Sequence, residues 1–106
     1  MTKALFLVRR RPDLTPEQFQ QYWRETHAPL AAAMPGLRRY VQDHVVVDPS
    51  QEPPAYDGVA ELTFDSAEAF QAALASPEGA AVLADVPNFL DPDAIRVLIA
   101  DEVTVC

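Results

Sequence analysis

A histidine is the side chain best suited to moving protons near neutral pH, and one of the two in this chain, His27, sits where a helix should carry it inward. In the stretch FQQYWRETHAPL, Phe19, Trp23 and His27 are spaced four apart and share one helical stripe, which Tyr22, Thr26 and Leu30 widen. Pro29 has no N–H for the carbonyl of Glu25 and its ring collides with that turn, so the helix is expected to kink or restart just past His27. A buried imidazole beside broken backbone suits general acid–base catalysis. The plainer reading is a core histidine bonded to a carbonyl freed by the kink. Burial would lower its pKa and the negative end of the helix dipole would raise it, and the sequence leaves that contest open.

A second set of polar side chains alternates along LRRYVQDHVVV, where Tyr40, Gln42 and His44 share one strand face. A third, Asp57 and Glu61, shares a face of YDGVAELTF. If these faces look toward the first helix, they join His27 in a pocket walled by Trp23 and Tyr22, and the Tyr40 phenol would hold or protonate an enolate or phenolate oxygen. If they look the other way, they form an interface network. Asp57 and Glu61 equally suit turn capping or pairing with Arg38, Arg39 or Arg9. The candidates are accordingly His27 and Tyr40 for catalysis, and Trp23, Tyr22, Gln42, His44, Asp57, Glu61 and Arg9 for substrate binding, with the core and interface readings open beside them. No short ligand motif joins the two histidines to a carboxylate, and no nucleophile elbow is present. The three glycines, Gly36, Gly58 and Gly79, are too scattered for a phosphate loop, so no metal and no cofactor is expected.

The elements that must position these residues follow from local signals. Lys3–Arg10 is an apolar run too short for a stable helix and reads as a central strand. Thr15-Pro16-Glu17-Gln18 supplies an N-cap, a proline at the first helical position and a capping-box glutamine, opening a helix that runs to about Ala33, where Met34-Pro35-Gly36 ends it. Leu37–Val47 and Tyr56–Phe64 read as strands, with Gly58, Ala60, Leu62 and Phe64 on the packed face of the latter. The intervening Asp48–Pro54 segment is a polar, proline-rich loop long enough to act as a flap. Asp65 or Ser66 caps a second helix with the stripe Ala67, Phe70, Leu74, and Ser76-Pro77-Glu78 opens a short third one ending near Asp85. Val86-Pro87-Asn88 breaks it, Phe89 and Leu90 tuck against the core, and Ala94–Thr104 is the last strand. The order βαββαβ, with an extra short helix, predicts an α+β, ferredoxin-like sandwich with an antiparallel sheet in a single domain over 1–106.

Charge and composition narrow the partners. The formal net charge is -8, and residues 1–39 hold seven of the eight Lys/Arg, while thirteen of the sixteen Asp/Glu lie from Tyr40 onward. Such a chain is not expected to bind nucleic acid through a basic surface. No segment reaches the roughly 20 apolar residues of a membrane span. The apolar start is followed, not preceded, by arginines, and the single cysteine, Cys106, is terminal, so a soluble, cytoplasmic protein is expected. Long apolar strands in so short a chain leave one sheet face needing cover, for which a second subunit is the economical choice.

The motifs FxxYWxxxHAPL, PGLRRYVQ, YDGVAELTFDSxEAF and SPEG resemble the EthD family of dimeric α+β barrel proteins, across nearly the whole chain. The resemblance implies a homodimer whose subunits press their sheets face to face, each with an apolar pocket between its own sheet and helices and no shared family cofactor. By similarity to the isomerases of this group, the histidine of HAPL and the tyrosine after PGLRR, here His27 and Tyr40, are the positions to carry over. The function implied is binding of a small apolar, aromatic or polyketide-like compound with cofactor-free proton-transfer chemistry of isomerase, cyclase, dehydratase or decarboxylase type. The alternatives are a non-catalytic accessory protein of a monooxygenase pathway and a cofactor-free oxygenase.

Overall fold

The structure is a computed structural model that describes all of residues 1–106. Strand β1 (Thr2–Val8) pairs antiparallel with β3 (Gly58–Phe64) on one side and β4 (Arg96–Asp101) on the other, and β2 (Arg39–His44) pairs antiparallel with β3. The sheet order is thus β2-β3-β1-β4, the ferredoxin-like arrangement expected from the element order. Helix α1 (Pro16–Tyr22) opens on the anticipated capping box: Gln18 N–H donates to Thr15 Oγ1 at 3.1 Å, and Thr15 N–H to Gln18 Oε1 at 2.9 Å. Helices α3 (Ala67–Ala75) and α4 (Pro77–Asp85) start on the serine caps Ser66 and Ser76, so Asp65 is not the cap; it pairs with Arg38 instead. Gly36, at φ 79°, takes the left-handed turn that follows the first helix.

Three expectations need correction. The strands are shorter than read, because pairing of β2 with β3 stops at His44–Gly58 and leaves Val45–Val47 and Tyr56–Asp57 outside the ladder. Asp57 instead takes up backbone: its Oδ2 accepts from Arg10 N–H at 2.8 Å. The effect of Pro29 falls upstream of the expected kink. Residues Trp23–His27 form a single wide π turn, with the N–H of Ala28 reaching back to the Trp23 carbonyl, before the short helix α2 (Ala28–Ala32) resumes. The wider turn keeps Trp23 and His27 buried but carries Thr26 out to solvent, so Thr26 does not share their face.

The helices cover one face of the sheet. Phe19, Trp23, Phe64, Phe70 and Phe89 are buried there against Ala4, Val8, Ala60 and Leu62. Trp23 lies flat on the backbone at Gly58, where a methyl group would come within 2.5 Å of the indole. By alternation the opposite face presents Leu5, Leu7, Val41, Val59 and Leu98. It also carries Lys3, bridged to Glu61 at 2.9 Å and Glu102 at 2.6 Å. No helix is long and apolar enough to cross a membrane.

Candidate functional site

Between the helices and the sheet is a cavity of about 350 Å³ lined by eighteen residues, sixteen of them hydrophobic. Only His27, Tyr40 and the Trp23 indole bring polar side-chain atoms to that lining. The π turn fixes the first of these. It holds His27 one turn beyond Trp23 on the buried side, with the imidazole against the Phe89 ring at 4.6 Å between centroids.

The partner of His27 comes from the end of α4. Asp85 Oδ2 lies 2.8 Å from His27 Nδ1, and its Oδ1 accepts from the Tyr22 hydroxyl at 2.5 Å and from Asn88 Nδ2 at 3.0 Å. The segment that follows is tied to the end of β1. Arg11 N–H donates to the Phe89 carbonyl, Asp91 N–H to the Arg9 carbonyl, and the Arg11 guanidinium to the Asn88 carbonyl. Burial pushes the Asp85 carboxyl up, but the hydrogen bonds from Tyr22, Asn88 and His27 outweigh it, so the group titrates below the ordinary carboxylate range and is ionised at neutral pH. Burial lowers the His27 pKa and the nearby carboxylate only partly restores it, so the imidazole is neutral. An anionic acceptor at Nδ1 requires the Nδ1–H tautomer, which leaves the Nε2 lone pair without a partner in the chain.

On the sheet side, Tyr40, Gln42 and His44 face the helices. Gln42 Nε2 donates to the Trp23 carbonyl at 2.9 Å and to the Tyr40 hydroxyl at 2.8 Å. The carbonyl acceptor fixes which way the amide points, so Gln42 Oε1 is the atom that accepts from His44 Nε2–H, at 2.9 Å. Burial raises the Tyr40 pKa against hydrogen bonds from Gln42 and Trp23, so the phenol keeps its proton. Its oxygen accepts from Gln42, its O–H has no acceptor within the chain, and Tyr40 lines the cavity.

The EthD domain model matches residues 11–93 of this sequence. The chain belongs to the EthD family. It is 37% identical over 91 residues to an uncharacterized 11.0 kDa protein in the thcB-thcC intergenic region of Rhodococcus erythropolis, covering 85% of both chains. Its fold matches the crystal structure of an ethyl tert-butyl ether d (EthD) family protein from Bacillus halodurans with a TM-score of 0.79 at 27% identity, covering 97% of this chain and 100% of that one. A dimeric ferredoxin-like protein of unknown function from Thermobifida fusca matches with a TM-score of 0.68 at 22% identity, covering 93% and 88% of the two chains.

In this EthD chain the candidate residues separate into groups. His27, Tyr40 and Trp23 line the cavity, while Tyr22, Gln42 and His44 stand behind them as hydrogen-bonding or packing partners. The other three lie elsewhere. Arg9 is exposed beyond β1, Asp57 holds the backbone and guanidinium of Arg10, and Glu61 pairs with Lys3 on the outer sheet face. No group of three His, Cys, Asp or Glu side chains converges on a position that could hold a metal ion. Asp85, the partner of the candidate His27, is the residue that sequence reasoning missed. Its signal was an acid at the C-terminal end of a helix, where the dipole disfavours negative charge, set between Ala84 and Val86.

Proposed function

We propose that this EthD protein binds a small apolar, aromatic or polyketide-like compound in the cavity and catalyses cofactor-free proton transfer on it. The observation that carries the reading is a neutral imidazole, held through Nδ1 by a buried carboxylate, whose free Nε2 belongs to the same apolar cavity as a protonated phenol. His27 Nε2 removes a proton from the substrate, Asp85 orients the ring and stabilises the imidazolium, and Tyr40 donates a hydrogen bond to the oxygen on which charge develops. Return of the proton to another atom of the same compound completes an isomerisation; its delivery to a departing hydroxyl, which leaves as water while the C–H electron pair becomes a double bond, completes a dehydration.

The working unit in this proposal is a homodimer joined through the outer sheet face. Support comes from the apolar row Leu5, Leu7, Val41, Val59 and Leu98, and from fold relatives described as dimeric. His27→Ala is expected to lose turnover by about three orders of magnitude or more while still sedimenting as a dimer. Undiminished turnover would overturn the catalytic role, and a monomer of the native chain at micromolar concentration would overturn the assembly. The dominance of hydrophobic lining favours a second reading, a non-catalytic binding protein for a monooxygenase pathway. In that case a bound compound is recovered chemically unchanged after incubation.

A further inference from the structure

The cavity has polar groups but no positive charge. None of its eighteen lining residues is Lys or Arg, and its only ionisable side chains are His27 and Tyr40. His27 cannot act as a standing cation, because burial holds it neutral and its Nδ1 is committed to Asp85. The nearest fixed charge is therefore the Asp85 carboxylate on the far side of the imidazole, and it is negative. A formal net charge of -8 on the chain adds a repulsive field for any approaching anion. What the polar side chains of the lining offer is one hydrogen-bond acceptor, on the His27 imidazole, and two neutral donors, the Tyr40 hydroxyl and the Trp23 indole N–H.

Resting on the proposed binding role of this cavity, we infer that the site selects by charge: it takes electrically neutral compounds bearing a carbonyl or phenol oxygen and excludes their carboxylate counterparts. An anion entering it would exchange its hydration for apolar walls with a carboxylate behind the imidazole, and only neutral donors, the Tyr40 phenol and the Trp23 indole, in compensation. A ketone of the same shape loses far less solvation and matches the phenol donor.

Three naphthalene probes substituted at one ring position test this, carrying an acetyl, a carboxamide or a carboxylate group. Trp23 is the only tryptophan and lines the cavity, so its fluorescence reports occupancy, with calorimetry as a second readout. At pH 7.5 the acetyl and carboxamide probes are expected to bind at least roughly a hundredfold tighter than the carboxylate, whose affinity should recover as pH falls toward its own pKa and it becomes neutral. Asp85→Asn should narrow the difference between the probes. If neutral and anionic probes bind equally, charge selection is overturned while the cavity-binding role stands. If none of the three binds, the binding role itself fails. Because the three-probe comparison at pH 7.5 uses the native protein, it decides the question even if the variant does not fold.

Discussion

The two histidines of this chain sit in networks of similar form and opposite electrical character. On the helix side, His27 Nδ1 meets a carboxylate that also collects donors from Tyr22 and Asn88. On the sheet side, His44 Nε2 meets a carboxamide that passes its own donors to Tyr40 and to the Trp23 carbonyl. Trp23 links the two regions, since its ring packs on His44 at 4.7 Å and its backbone opens the π turn that ends at His27. On the helix side the carboxylate leaves the His27 Nε2 lone pair free, whereas on the sheet side the carboxamide donates to the Tyr40 oxygen and leaves the phenol its proton. The difference gives one apolar cavity lining both a neutral hydrogen-bond acceptor and a neutral donor.

The comparison breaks most severely at Asp85. Asp85→Ala leaves His27 Nδ1–H without its acceptor in a buried place and takes the acceptor from the half-buried Tyr22 hydroxyl and the exposed Asn88 amide, and is expected to cost about 2 kcal/mol of stability in urea unfolding. A loss below about 1 kcal/mol would mean that water replaces the carboxylate and that the helix-side network is not dry. The matching change on the sheet side is milder. Gln42→Leu removes neutral hydrogen bonds and should cost about 1 kcal/mol. It should also raise the Tyr40 phenol pKa further, because the lost donation favoured the ionised form; phenolate absorbance against pH, with Tyr40→Phe to assign the signal, reads this directly.

The smallest expected effect is on pH dependence. Burial holds the folded His27 pKa below the ordinary imidazole value of 6.5, so its favourable contribution is fully present above that pH and is lost as pH falls through the lowered folded value. Asp85 contributes in the same sense only further down, because its own pKa is depressed below 3.8. Unfolding free energy of the native chain should therefore decline between pH 6.5 and 4, and His27→Gln should flatten that slope while leaving the fall below pH 4 in place. An unchanged slope in the variant would show that His27 titrates in the folded chain as it does unfolded.

Much of this site was legible before folding because its signals are local. The capping box of Thr15 and Gln18, the stripe Phe19–Trp23–His27 and the alternation that groups Tyr40 with Gln42 and His44 each depend on residues a few positions apart. Pro29 announced a break, yet the sequence did not distinguish a kink after His27 from a π turn before it, because both relieve the same missing hydrogen bond. Arg9 and Arg10 show a different limit. Which of two adjacent arginines meets Asp57 depends on how the end of β1 docks, and Arg10 is the one that does.

The sequence by itself determined the order of elements, the inward histidine and the grouping of Tyr40 with Gln42 and His44 on one strand face, since backbone propensity and side-chain period act over a turn or a pleat. That this face looks toward the helices was decided by packing. Tertiary structure alone decided that His27 is paired with an acid 58 residues away and that Gln42, not a substrate, receives the hydrogen bond from His44. Those partners are fixed by where α4 and β2 pack against the first helix. The tautomer, the charge and so the chemistry of each histidine follow from the atom that packing brings within about 3 Å of its ring.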